Sequence, residues 1–138
     1  MAMKVRTAGL NEVLYSPRGP VGRHMEAVGR DAERQANVIA NAELQRGNPP
    51  AGYHGGFYSQ PQVVAGRGVR IRLGNRSRVA VWVEQGTVPH IIVPRKARVL
   101  AFRVDGGPLI FARRVNHPGT RAYRVLERAV RIAVRRGG

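Results

Sequence analysis

The chain has 138 residues, 43% of them apolar and 6% aromatic, enough for one domain with a core built mainly on Val, Ile, Leu and Ala. It holds 24 basic and 8 acidic residues and no cysteine, which excludes a disulfide framework, thiolate zinc sites and thiol nucleophiles and fits a reducing cytoplasm. The N-terminus lacks an apolar run of signal-peptide length, and no stretch reaches the roughly 20 apolar residues that span a bilayer, so a soluble protein is expected.

In residues 1–19, Leu10, Val13 and Leu14 suit a short helical turn or two before Ser16-Pro17 and Gly19-Pro20 break it. A long helix is predicted over 20–45. Val21, Met25, Val28, Ala32, Ala36 and Ile39 recur at spacings of three and four, Pro20 suits the first turn, and Gly47 and Pro49-Pro50 end it. Residues 46–56, RGNPPAGYHGG, read as a flexible loop.

A β-rich part follows over 57–117. Tyr58 to Val64 is predicted as an edge strand because Pro61 cannot donate to a ladder. VRIRL alternates Val69, Ile71 and Leu73 with Arg70 and Arg72, a half-buried strand with a cationic outer face, and Gly66-Arg67-Gly68 would connect the two. Val79 to Val83 fits either a buried strand or two turns of helix capped by Gly86. Trp82 and Phe102 lie in apolar runs and are expected to be buried. IIV (91–93), RVLAFRV (98–104) and PLIFARRV (108–115) read as strands, with Asp105-Gly106-Gly107 as a tight turn.

A helix is predicted over 120–136. Arg121, Arg124, Arg128, Arg131 and Arg135 follow a three–four repeat along one stripe, opposite Tyr123, Leu126, Ala129, Val130 and Ala133. That apolar side is mostly Ala and Val, which suits packing on a sheet rather than insertion into a bilayer.

The charge is uneven. Residues 1–50 hold seven basic and five acidic residues, and residues 51–138 hold seventeen and three. The second part therefore favours an acidic partner, whether nucleic acid, an anionic surface or an acidic protein, or else carries a solvated surface. Arg70, Arg72, Arg76, Arg78, Arg95, Lys96 and Arg98 with the C-terminal stripe could follow a phosphate backbone. A small non-specific nucleic-acid-binding protein is thus the alternative function.

Catalysis finds little support. The candidate bases are His24, His54, His90 and His117, and the acids of the β-rich second half of the chain are Glu84, Asp105 and Glu127. No nucleophile elbow, zinc helix or phosphate loop is present. Glu84, His90 and His117 could in principle form a His₂–carboxylate site, but no close-spaced ligand pair anchors it. His90 and His117 flank prolines and are read as loop-fixing groups bonded to backbone. Thr120, after His117-Pro118-Gly119, is placed to cap the last helix. No enzyme activity, metal or cofactor is expected.

From residue 79 the order of landmarks is distinctive: Val83, Glu84, Gly86 and Thr87; Pro89 and His90; Ile92 and Pro94; Leu100 and Phe102; then His117, Pro118, Gly119 and Thr120 before a terminal helix. This order resembles tail-completion proteins of long-tailed bacteriophages, a family also described as head–tail joining, neck or minor tail proteins. The likeness covers about 60 residues. It departs from the family at Val79-Ala80, where Tyr-Ala is usual, and at Tyr123–Leu126, where a Pro-Phe-Leu anchor is usual.

The resemblance implies an α+β subunit in which an N-terminal helix and a C-terminal amphipathic helix pack on one antiparallel sheet, with VAVWVE (79–84) as a short helix. It implies a hexameric ring at the head–tail junction that joins the DNA-filled head to the tail or caps the tail tube. Its partners would be its own copies, other neck or tail proteins and the phosphate backbone of passing DNA. Its place would be the virion, with host cytoplasm during assembly. The surface residues are then Arg70, Arg72, Arg95, Lys96, Arg98, Arg121, Arg124, Arg128, Arg131 and Arg135, and the turn and cap residues are Gly86, Thr87, Pro89, His90, His117, Pro118, Gly119 and Thr120.

Overall fold

The computed structural model describes residues 13–14, 16–44, 52–64, 68–104 and 106–137. The helical turn expected to begin at Leu10, much of the 46–56 loop, the Gly66-Arg67 connection and Asp105 of the tight turn lie partly or wholly outside them. Among the described residues the fold is α+β, with three helices of six residues or more and small antiparallel sheets. The stretch that length assigns to one domain groups into two compact units, residues 1–80 with 125–138 and residues 81–124.

The first unit is built on helix α1, Pro20–Leu44. Gly19 accepts the first helical hydrogen bond, from the Arg23 N–H at 3.0 Å, so Pro20 stands at the first helical position as expected. The predicted face is the buried one. Ala32, Ala36 and Ile39 are in the core with Ala40 and Leu44, and Val21, Met25 and Val28 are half-buried. Strands β1 (Phe57–Val64) and β2 (Gly68–Asn75) form a hairpin in full register from Phe57 opposite Asn75 to Val64 opposite Gly68. Alternation sorts β2 as expected: Val69, Ile71 and Leu73 are half-buried, and Arg70 and Arg72 are exposed. The Ser59 hydroxyl donates to Glu33 of α1 at 2.9 Å, tying the inner face of the hairpin to the helix.

From Gly52 onward the expected loop is anchored. Tyr53 is fully buried, its ring edge-on to Phe57 at 5.2 Å, and its carbonyl accepts from the Asn75 side chain at 2.9 Å. Two aromatics four residues apart hold this stretch more firmly than its Gly and Pro content suggests.

The last helix corrects the sequence reading. Helix α3 spans Val125–Arg136 and does not begin at Thr120. It packs against α1, not on a sheet, through Val125, Ala129 and Ala133. Arg128 Nη2 donates to Glu43 of α1 at 2.5 Å. That hydrogen bond raises the Arg128 guanidinium above its ordinary range; desolvation opposes the shift and the Glu43 charge adds to it. Both side chains remain partly in solvent, so Arg128→Glu, which sets two carboxylates together, is expected to cost about 0.5–1 kcal/mol in a urea melt.

The second unit contains most of the short helix α2 (Ala80–Gln85), then strands β3 (His90–Ile92), β4 (Leu100–Arg103), β5 (Leu109–Ala112) and β6 (Val115–His117). Residues 80–85 are thus helix, the second of the two forms their composition allowed. In place of the single expected sheet there are three two-stranded ladders among the described residues: β1–β2, β3–β6 and β4–β5. Prolines account for much of this. Pro61 removes a donor from β1, Pro89 and Pro94 bracket β3, and Pro118 follows β6. The predicted strand 108–115 divides at Arg113-Arg114 because its two halves pair with different strands. Among the described residues no helix is long and apolar enough to cross a membrane.

Candidate functional site

The landmarks of residues 86–90 and 117–120 form one clasp. Helix α2 ends when the Gly86 N–H donates to the Trp82 carbonyl at 2.8 Å. Gly86 has φ 72°, the left-handed conformation expected of a cap glycine. Thr87 and Thr120 then exchange both backbone hydrogen bonds, at 2.9 and 3.0 Å, and the Thr120 N–H also reaches the Thr87 hydroxyl at 3.0 Å. Thr120 is therefore committed to this bridge and does not cap α3. The Tyr123 N–H adds a further bond, 2.9 Å to the Val83 carbonyl.

His90 and His117 face each other across β3–β6, with ring centroids 4.9 Å apart. His90 Nδ1 lies 2.9 Å from the Val88 carbonyl, and His117 Nδ1 accepts from the Gly119 N–H at 3.1 Å. Each ring holds its own turn, as the sequence suggested. Because His117 Nδ1 accepts, its neutral ring carries the proton on Nε2, which leaves no lone pair there for a metal. Glu84, His90 and His117 do not form a metal-binding group, and no cluster of three His, Cys, Asp or Glu exists among the described residues.

The predicted basic stripe is divided. Arg121 and Arg124 precede α3, and Arg124 has φ 50°, so the five arginines do not share one helical face. Arg121 lies over the Tyr123 ring at 4.6 Å. On α3, Arg131 pairs with Glu127 at 2.8 Å, Arg128 pairs with Glu43, and Arg135 is exposed in the last turn. Arg95, Lys96 and Arg98 are exposed on the bends between β3 and β4. Arg70 and Arg72 stand on the outward face of β2.

Compared with known proteins, the chain matches no family model, no curated protein and no solved structure.

The second unit has a surface that the sequence reading missed. Trp82, expected inside, is 55% exposed, Phe111 63% and Val88 78%; Ile91, Val93, Val104, Leu109 and Ile110 are exposed as well. Phe102, also expected inside, is half-buried. Among the described residues of 81–124 only Val83 belongs to the buried core. Register explains part of this. Leu109 lies opposite Arg103 and Phe111 opposite Ala101, so the two large side chains share one face of β4–β5. An apolar run shows that a segment is apolar, but it does not show which molecule covers it. Trp82 sits in a six-residue helix that buries only Val83.

Proposed function

We propose that this chain is a structural protein of the phage head–tail junction, a neck or tail-completion subunit that docks to its own copies and to other virion components. The observation that carries the reading is the exposed apolar surface of the second unit. Two-stranded ladders with almost no core are marginal by themselves, and apolar surface of this extent marks a docking site. The resemblance of residues 79–120 adds support, because its landmarks Gly86, Thr87, His90, His117, Gly119 and Thr120 converge on the clasp that holds this unit together. The ring and its copy number belong to the same proposal.

Trp82 is the only tryptophan and reports on this directly. Its emission is expected to be that of a wet indole in dilute protein and to shift to the blue as concentration drives association. Sedimentation should show larger species over the same range, and Phe111→Ser with Ile91→Ser should suppress both changes without loss of helical circular dichroism. A monomer at every concentration, absent from purified particles, would refute the proposal.

A further inference from the structure

We infer that the outward face of the β1–β2 hairpin binds the phosphate backbone of duplex DNA. The inference stands on the hairpin alone and does not require the assembly proposal. In the ladder Gln60 lies opposite Arg72 and Gln62 opposite Arg70, and all four side chains are exposed. Tyr58 continues the face, with its ring over Gly74 and the Arg76 guanidinium 5.2 Å from the ring centre. Strand alternation thus segregates amides and guanidiniums on one side, while Ser59, Val69, Ile71 and Leu73 lie on the other, toward α1.

The arginines of this surface differ from four others of the chain in their pairing. Arg30, Arg34, Arg128 and Arg131 are each paired with a carboxylate, on Glu26, Asp31, Glu43 and Glu127. Among the described residues Arg70, Arg72 and Arg76 make no ion pair, and the sequence from 51 to 83 contains no Asp or Glu. The positive potential of the hairpin is therefore left for an external anion. Residues two apart on a strand stand about 6.7 Å apart. Duplex DNA carries one charge per roughly 1.7 Å of axis, so two guanidiniums at that separation can each reach a phosphate.

The groups across from them are primary amides, which donate to phosphate oxygens. An apolar partner would strip water from these amides and return no hydrogen bond. The single aromatic ring already has a guanidinium on it, so the face offers no platform for stacking unpaired bases. Backbone contacts of this kind carry no sequence preference.

The test is fluorescence anisotropy of the full chain with a labelled, random-sequence duplex. Arg70→Gln with Arg72→Gln is expected to lower the slope of log K against log salt by about 1.8 and to weaken binding at least roughly tenfold near 50 mM salt. Arg128→Gln with Arg131→Gln removes guanidiniums already paired and should change the slope less. An unaltered slope in the first variant overturns the inference. So does displacement of the duplex by poly-glutamate at equal charge, which would assign the face to an acidic protein. The hairpin variant leaves the second unit untouched. If it loses DNA but still associates, the two proposals succeed separately; native protein that binds DNA but never associates sinks only the first.

Discussion

Gly86→Val is expected to destabilise the fold by about 2–4 kcal/mol, the sum of a β-branched residue in the left-handed region and a steric clash. Gly86 has φ 72°, and a Cβ at this position would fall on the Thr120 carbonyl oxygen. That oxygen cannot move aside, because it accepts the Thr87 N–H and so closes the clasp. Gly119 repeats the arrangement from the other strand: its φ is 88° and an added Cβ would strike the Thr87 carbonyl. The Thr87–Thr120 bridge is thus flanked by two positions where any side chain collides with the bridge itself. The melting temperature should fall by several degrees per kcal/mol, and the Thr87 and Thr120 amides should lose protection from hydrogen exchange. Gly106→Ala is the control. Gly106 also has φ 72°, but a Cβ there meets open space, so only the left-handed backbone cost of about 1–2 kcal/mol applies. Equal stability of Gly86→Val and the native protein would show that the clasp does not hold the second unit.

The two outcomes of sequence reading differ for physical reasons. Helix α1 was legible because six apolar positions keep the three–four spacing from Val21 to Ile39 of the 25-residue helix, and only one backbone form puts them on one side. The alternation of VRIRL was equally direct: Ile71 is half-buried between two exposed arginines. The start of α3 was not legible. Arg121 and Arg124 continue the repeat of Arg128, Arg131 and Arg135, but exposed arginines impose no burial constraint, and the turn at Arg124, φ 50°, leaves the repeat intact while breaking the helix. Thr120 carried a true capping residue type, yet a partner 33 residues away, Thr87, took its backbone groups. Long-range pairing of this sort also decides where β5 ends and β6 begins, and local composition at Arg113-Arg114 holds no trace of it. The basic outer face of the hairpin was visible in Arg70 and Arg72. Its amides were overlooked, although Tyr58, Gln60 and Gln62 alternate at the same period of two.

Ala129→Leu is expected to cost about 2–3 kcal/mol by overpacking. The two helices pack together and bury mostly small residues: beside Ile39 and Leu44, α1 buries Ala32, Ala36 and Ala40, and beside Val125, α3 buries Ala129 and Ala133. Their spacing of four residues on each helix makes two matching stripes, so the backbones approach closely and dispersion between them replaces the bulk of larger side chains. A leucine at 129 adds three heavy atoms where none fit, and α3 must move away from α1 or adopt a strained rotamer. Either response also pulls Arg128 from Glu43. Val134→Leu, on the same helix but 62% exposed, tests whether α3 tolerates leucine in general, and it should change stability by less than about 0.5 kcal/mol. Thermal melts of the two variants separate these effects. If Ala129→Leu melts at or above the native temperature, the interface has slack, and the alanine stripes are not what sets the distance between α1 and α3.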